Sequence, residues 1–378
     1  MKSKTYIANY DHYILVIYFV LMIIGLYMQL NISSVRTSMS FFYKQFIWFF
    51  LSIGSVWFAF KKVDLEKLRN VSFYLIIFTI ILLIAVLIFG KSVKGAVRSL
   101  HIWKLNVQPS LLARITLILY FAHILDKKQR FIPLSKPRDF PKYFNSLIVM
   151  TTIMFGLILL ERHFSPLVIS GITLLSLLYL ARIKMSTIIV MIAILMLFGS
   201  LVIKLGPKYR GERMQIYREY SLFHKNKNDE KYTGTNDYQV KESLISLASG
   251  KLFGTTPARG TGKHYFLPEA KTDYIFAIIG EEYGFVGSLF VMALFILLFF
   301  RAIISSLKRD SLYLQLLGIG LGMNIFFNAM VNIGVAMAII PSTGVTLPFI
   351  SYGGTSLLVN SFTIGLLLNI SAKRQRIG

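Results

Sequence analysis

Ten apolar runs of spanning or near-spanning length constrain this chain more than any other feature. They cover residues 13–30, 41–60, 71–90, 109–125, 144–160, 165–181, 187–203, 274–300, 312–335 and 355–370, against the roughly 20 residues that a helix needs to cross a bilayer. In hydrocarbon every backbone N–H and C=O must be satisfied inside the chain, which leaves only helices or closed barrels. Runs this long and this uniformly apolar specify helices. Composition agrees: of 378 residues 55% are hydrophobic and only 15% are charged, where a soluble chain carries roughly 25%. The expected fold is therefore an all-α polytopic membrane protein of about ten transmembrane helices. Helices 1–7 fall in residues 1–204, a large extracellular loop in 205–272, and helices 8–10 in 273–378. Residues 1–12 lack a signal-peptide cleavage pattern, so the first run is expected to be a retained span.

Orientation follows from Lys and Arg in the short connections. With the N-terminus inside, 20 basic residues fall in the inner tails and loops and 8 in the outer ones, while the other 13 lie in the long loop that the rule does not count. Both termini are expected in the cytoplasm and the long loop outside. A formal charge of +24 would suggest nucleic acid in a soluble protein. Here it reports topology and an affinity for anionic head groups of membrane lipids, and no nucleic acid partner is expected. There are no cysteines, which removes disulfides, zinc thiolates and thiol nucleophiles. The six histidines show no i, i+4 pair, so no histidine metal centre is expected.

Polar residues are few, and their positions carry the functional reading. Residues 266–284, FLPEAKTDYIFAIIGEEYG, join the long loop to the eighth run and set Asp273 where water meets hydrocarbon. Glu269, Lys271 and Thr272 precede it and Glu281 and Glu282 follow. A carboxylate at that depth is costly and is by default functional, whereas Thr272 or Asp273 could instead cap the first helical turn. Both readings stand at this point. In the long loop, RGERMQIYREYSLF from Arg210 reads as an amphipathic helix on the membrane surface, and a second apolar pattern covers 238–252. Residues 254–262, GTTPARGTG, form a connector rather than a nucleotide loop, because Lys263 is followed by His264 instead of Ser or Thr.

After the third run, GAVRSLHIWKLNVQPSLLARI from Gly95 places Arg98 and Lys104 outside, and Gln108 and Arg114 at the head of the fourth span. A guanidinium one turn into the membrane needs a partner, a carboxylate or a phosphate, or else snorkels to the head groups. Asn324, Asn328 and Asn332 recur every four residues as one stripe, either interhelical glue or a ligand contact. Residues 339–356, IIPSTGVTLPFISYGGTS, carry two prolines and three glycines at outer-leaflet depth. Irregular backbone there has to be buried in protein or line a wet cavity.

Three of these stretches together resemble one family. GAxR with QPS (Gly95, Ala96, Arg98; Gln108, Pro109, Ser110), FLPEAxTDYIFAxIGEExG from Phe266, and PxTGVxLPFISYGGTS from Pro341 are similar to the SEDS (shape, elongation, division, sporulation) family of bacterial cell-wall glycosyltransferases, of which RodA and FtsW are members. The similarity runs along essentially the whole chain. It implies a multi-pass protein of the bacterial cytoplasmic membrane that polymerises lipid II (undecaprenyl-pyrophosphate disaccharide-peptide) into glycan strands at the outer face, alongside a class B penicillin-binding protein transpeptidase. Asp273 takes the position of the family's essential aspartate, a general base for the acceptor hydroxyl. Arg98 and Arg114 are the candidates for steadying the departing pyrophosphate. Gln108, Glu269, Lys271, Thr272, Glu281, Ser351, Gly353 and Gly354 are further expected substrate contacts. No cofactor is specified, and assistance by a divalent cation, Mg or Mn, stays open.

Several positions depart from the family pattern. Leu111 stands where a Glu follows QPS, Arg114 replaces a Lys, and Ser99 an aromatic residue. His163 and Ser165 replace an Asp and a Gly, Lys271 a His, and Ala338 and Ser342 also differ. With the Glu missing, Arg114 is expected to pair with Asp273 or with substrate phosphate. Two other functions share the ten spans: a lipid-linked precursor transporter (flippase), which usually shows an internal repeat not found here, and a catalytically lapsed scaffold for a transpeptidase.

Overall fold

A computed structural model describes the chain except residues 1–4, 36–38, 91, 94–95, 103–104, 205–207, 222–234, 256–259, 261, 263–268 and 377–378. Its helices are α1 (His12–Val35), α2 (Ser40–Lys61), α3 (Leu65–Asn70), α4 (Ser72–Phe89), α5 (Pro109–Lys127), α6 (Phe140–Leu160), α7 (Phe164–Leu180), α8 (Met185–Lys204), α9 (Lys208–Tyr220), α10 (Thr235–Ser249), α11 (Ile275–Leu307), α12 (Leu312–Ala336) and α13 (Gly354–Ser371). Among the described residues, seven helices are long and apolar enough to cross a membrane: α1, α4, α5, α6, α11, α12 and α13. The apolar stretches Phe164–Leu180 and Met185–Ser200 are shorter.

The chain is not purely helical. Strand β1 (Thr5–Asn9) pairs antiparallel with β6 (Lys373–Arg376), and two hairpins, β2 (Ser92–Val93) with β3 (Ala96–Val97) and β4 (Leu100–Ile102) with β5 (Leu105–Val107), fill the connection between α4 and α5. This corrects the all-α expectation in detail. Backbone leaving the apolar helices has no helical partner, and these short ladders pair it locally.

Burial sorts the helices. In their most apolar windows α5 is 83% buried and α12 and α13 are each 72% buried, against 22% for α6 and 28% for α4 and α11. The central helices are also the less hydropathic ones, because polar side chains are tolerated only where other helices satisfy them. Their polar residues do so: Asn369 Nδ2 donates to Ala59 O (3.0 Å) and Val63 O (2.7 Å) of the α2 end, and Tyr18 donates to Ser361 Oγ (3.0 Å).

The two ends of the bundle differ. At one, Arg301 of α11 donates through Nε and Nη2 to Asp11 Oδ2 (3.1 and 2.6 Å), Ser305 Oγ donates to the same oxygen (2.6 Å), and Asp11 N donates to Ser371 Oγ (3.1 Å). Arg69 pairs with Asp126 there too. With β1 and β6 this clasps both terminal segments together. The opposite end collects the starts of α5, α7, α11 and α13 and the end of α12, together with Arg98, Gln108, Asp273 and the stretch after α12.

Helix α11 bends at that polar end. Gly284 has φ +66° and ψ −163°, a conformation disfavoured for residues with a Cβ. The bend frees backbone groups that the loop takes up: Phe285 N donates to Lys251 O (2.9 Å), Val286 N to Leu252 O (3.1 Å) and Thr255 N to Glu281 O (3.0 Å). A Cβ on Gly284 would lie 2.4 Å from Gly254 N. Helix α9, expected from its amphipathic pattern to lie on the membrane surface, places at least part of its apolar face on protein. Its Ile216 packs with Val240 of α10 and with Ala338.

Candidate active site

The irregular stretch after α12 forms one wall of the site. Ala338, Gly344 and Phe349 all have positive φ (53°, 72° and 67°), so no regular ladder can run through it. Side chains satisfy its carbonyls instead. Asn328 Nδ2 donates to Thr346 O (3.2 Å), Asn332 Nδ2 to Val345 O (2.6 Å), Ser165 Oγ to Thr343 O (2.8 Å) and Arg213 Nη1 to Ser342 O (2.9 Å). The asparagine stripe is thus glue in two of its three positions, and the glue is spent on this wall.

Asp273 is fixed from behind. Helix α11 starts at Ile275, and Tyr274 at its cap makes no side-chain capping bond, so Asp273 stands outside the helix rather than capping it. Three consecutive carbonyls hold its backbone. Lys271 O accepts from Gln29 Nε2 (3.0 Å) and Tyr352 N (2.8 Å), Thr272 O from Ser351 Oγ (2.5 Å), and Asp273 O from Asn332 Nδ2 (2.8 Å). Upstream, Glu269 has φ +58°, and its carbonyl accepts from Thr272 N (3.0 Å) and Tyr274 N (3.3 Å). Three separate elements, α1, α12 and the stretch that follows it, therefore set the position of one half-buried carboxylate, the pre-organisation that positioned chemistry needs.

Asp273 and Arg98 converge at Gly344. A Cβ on that glycine would sit 3.5 Å from Asp273 Oδ2 and 3.4 Å from Arg98 Nη1. Gly344 also lines a small cleft, open at its mouth, whose other walls include Gln108, Leu111, Arg114, His163 and Asn328. Arg114 is 2% exposed. Its Nη1 donates to Asn328 Oδ1 (2.9 Å), its Nε has no partner, and among the described residues no carboxylate pairs with it. The expected Arg114–Asp273 pair is therefore not made. Asn328 reaches the guanidinium first because α5 and α12 are packed side by side. Behind Arg114, His163 Nδ1 lies 3.3 Å from Gln108 Nε2 and 3.1 Å from Ser110 Oγ. Burial, with Arg98 and Arg114 close by, holds the imidazole well below the usual histidine range.

A half-buried carboxylate close to one guanidinium, at the edge of a cleft lined by a second, can take a proton while the guanidinium groups stabilise developing anionic charge. A family model described as "Cell cycle protein", FTSW_RODA_SPOVE, matches residues 8–376. This chain belongs to that family. It is 32% identical over 383 residues to the probable peptidoglycan glycosyltransferase FtsW of Coxiella burnetii, covering 98% of each chain. To the FtsW of Aliivibrio salmonicida it is 34% identical over 331 residues, 86% of this chain and 78% of the relative. Among solved structures, one reported as "Structural coordination of polymerization and crosslinking by a peptidoglycan synthase complex" superposes with TM-score 0.78 over 96% of this chain and 98% of that one. The rod shape determining protein RodA of Thermus thermophilus superposes with TM-score 0.69 over 96% of this chain and 97% of its own. Both are 22% identical and speak to the fold. Family membership and the seven apolar helices make this a multi-pass membrane protein.

In this FtsW/RodA/SpoVE relative, the other expected site residues divide by what they touch. Thr272 Oγ1 donates to Glu269 Oε2 (2.9 Å), so these two brace the turn before Asp273. Lys271 Nζ lies 3.4 Å from the Phe41 ring centroid and 5.9 Å from that of Tyr352, a cation–π seat directed at α2. Ser351 accepts from Leu347 N (2.8 Å) while donating to Thr272, which ties the third motif to the second. Glu281 is buried and accepts from Gly262 N at 3.1 Å through both oxygens, anchoring the connector. Gly353 precedes α13, and a Cβ on Gly354 would meet the Trp48 ring at 2.1 Å. Gly95, Lys104 and residues 266–268 lie outside the described residues, as do most of 224–237 and part of 254–262. Among the described residues no three His, Asp or Glu side chains gather in one place. His163 was marked in the sequence only as a departure from the family pattern and Arg213 only as part of an amphipathic stretch; that one lines the cleft and the other holds Ser342 O was not evident, since each is placed by a different helix.

Proposed function

We propose that this chain is a peptidoglycan glycosyltransferase that polymerises lipid II at the outer face of the bacterial cytoplasmic membrane, with Asp273 as general base. The convergence of Asp273 and Arg98 on Gly344, at the mouth of the Arg114 cleft, carries the reading. Asp273 takes the proton of the acceptor hydroxyl as that oxygen attacks the donor's anomeric carbon. The bond to the lipid pyrophosphate breaks, and Arg98 and Arg114 supply fixed positive charge where the leaving group develops its own. Both isoprenoid tails stay in the bilayer while the sugars meet above it. Ten spans, cytoplasmic termini and an outward loop at 205–272 fit the charge bias of the short connections and the clasp between β1 and β6. A class B penicillin-binding protein transpeptidase is the proposed partner, consistent with a relative solved in a complex that coordinates polymerization and crosslinking.

Purified protein given lipid II in detergent tests the reading. Wild type yields glycan polymer, and Asp273→Asn yields none while inserting and melting normally. Unchanged polymer from Asp273→Asn would overturn the role, and no polymer from wild type would favour a transporter or scaffold. Parallel reactions with a chelator determine whether a divalent cation takes part.

A further inference from the structure

His163 is set apart from the rest of the cleft by what its two ring nitrogens face. Nδ1 looks back at α5, 3.3 Å from the Gln108 amide nitrogen and 3.1 Å from Ser110 Oγ. With the Gln108 amide nitrogen placed toward it, Nδ1 is assigned as the acceptor and the single proton of the neutral ring to Nε2. A charged ring would set Nδ1–H against the amide N–H groups. Among the described residues both hydrogen bonds of the ring are made at Nδ1, which leaves Nε2 as the side that can face the cleft; the residue is 4% exposed and is part of the cleft lining. Arg114, 2% exposed, lines the same cleft with its Nε unpartnered. Leu111, Pro166 and Ile169 supply apolar walls. A buried pocket with donors on one side, hydrocarbon on the other and no carboxylate paired to its guanidinium suits an oxyanion carried on a lipid chain.

Resting on the polymerase reading above, we infer that His163 Nε2–H and Arg114 together form the seat for the phosphate oxygens of an isoprenyl pyrophosphate, the leaving group of the donor substrate. His163 supplies a directed neutral donor, fixed by Gln108 and Ser110, and Arg114 supplies the charge. Burial and the nearby Arg98 and Arg114 keep the ring neutral, and the contacts of Nδ1 with Gln108 and Ser110 select the tautomer. Asp273, across Gly344, remains the base, and no proton leaves His163 during transfer.

Two substitutions separate this role from a packing role. In His163→Gln the amide nitrogen reaches the place of Nε2, whereas in His163→Asn the polar group stays at the place of Nδ1, beside Gln108 and Ser110. Binding of farnesyl pyrophosphate to the full chain in detergent is measured by calorimetry. The expected result is affinity within about threefold of wild type for His163→Gln and about tenfold weaker for His163→Asn, the size of one hydrogen bond to a charged group. Equal affinities for the two variants would overturn the inference. Nuclear magnetic resonance of ¹⁵N-histidine wild type is the second measurement and needs no variant to fold: the probe shifts the His163 Nε2 signal and leaves Nδ1 in place. An unmoved Nε2 signal at saturation overturns the inference as well. Competition by phosphatidylglycerol nanodiscs, with phosphatidylcholine nanodiscs as control, distinguishes a phospholipid head group as the occupant, and displacement of the probe by them would overturn the assignment to substrate. Polymer yield from lipid II is read on the same wild-type preparation. No polymer condemns the polymerase reading, whereas polymer with matching Gln and Asn affinities condemns this inference alone.

Discussion

Replacing Arg114 with Met is expected to make the protein more stable and inactive at once. The guanidinium lies about one turn inside α5, is 2% exposed, and has one neutral hydrogen-bond partner, Asn328 Oδ1 at 2.9 Å. An arginine costs about 2.5–3.5 kcal/mol at the centre of a membrane helix on insertion scales and less toward its end, so this is an upper bound here, and a hydrogen bond to a charged group returns about 1.5–3 kcal/mol. The balance is a burial cost of about 1 kcal/mol, larger wherever the unpartnered Nε is poorly hydrated. Met fills much of the same volume with no polar atom to satisfy, and Asn328 Oδ1, which lines the cleft, can take water in place of Arg114. For a chain of 378 residues, 1 kcal/mol moves the thermal midpoint by roughly 1–2 °C, so the expected rise is about 1–3 °C. Intrinsic tryptophan fluorescence during a thermal ramp in detergent reads the midpoint, and the lipid II polymer assay reads activity. A lowered midpoint with polymer yield retained would refute the reasoning, since it would make Arg114 a satisfied structural residue rather than a cation held ready for an anion.

Other outcomes follow from the same geometry. Burial raises the Glu161 carboxyl to about 8 from an ordinary 4.5, so the folded chain keeps a proton that the unfolded chain loses. The stability this contributes falls as pH rises from about 4.5 to about 8, by about 1.4 kcal/mol per unit at most. Melting curves across that window are expected to fall in wild type and to flatten in Glu161→Gln. Gly284→Ala is expected to lower the melting midpoint by several degrees, because a Cβ would lie 2.4 Å from Gly254 N at a φ of +66°. By contrast Gly156→Ala, with nothing within 4 Å, should raise it slightly, since alanine gains about 0.5–1 kcal/mol over glycine inside a helix. Asp11→Asn weakens the clasp with Arg301 and Ser305 and is expected to cost about 1–3 kcal/mol, seen as a lower midpoint with lipid II polymerisation retained, since the clasp is at the far end of α11 from Asp273.

The apolar runs were legible because hydrocarbon leaves the backbone a single economical answer, and a helix is a local structure that twenty residues specify by themselves. Asp273 was legible for a related reason: a carboxylate is conspicuous where every neighbour is apolar. The alternative that it caps a helix fell only when α11 was seen to begin at Ile275 with no capping side chain. The partner of Arg114 could not be read at all. It depends on α5 and α12 packing together, and a residue 214 positions away in sequence fills the place that a carboxylate or phosphate was expected to take. Helix α9 shows the same limit, since its amphipathic pattern states that one face needs apolar contact without stating whether lipid or protein supplies it. What the sequence settled by itself is which segments leave water and which polar residues go with them. Which of those polar residues face one another was decided by tertiary packing, because the hydrogen bonds that place Asp273, Arg114 and His163 come from helices far apart in the chain.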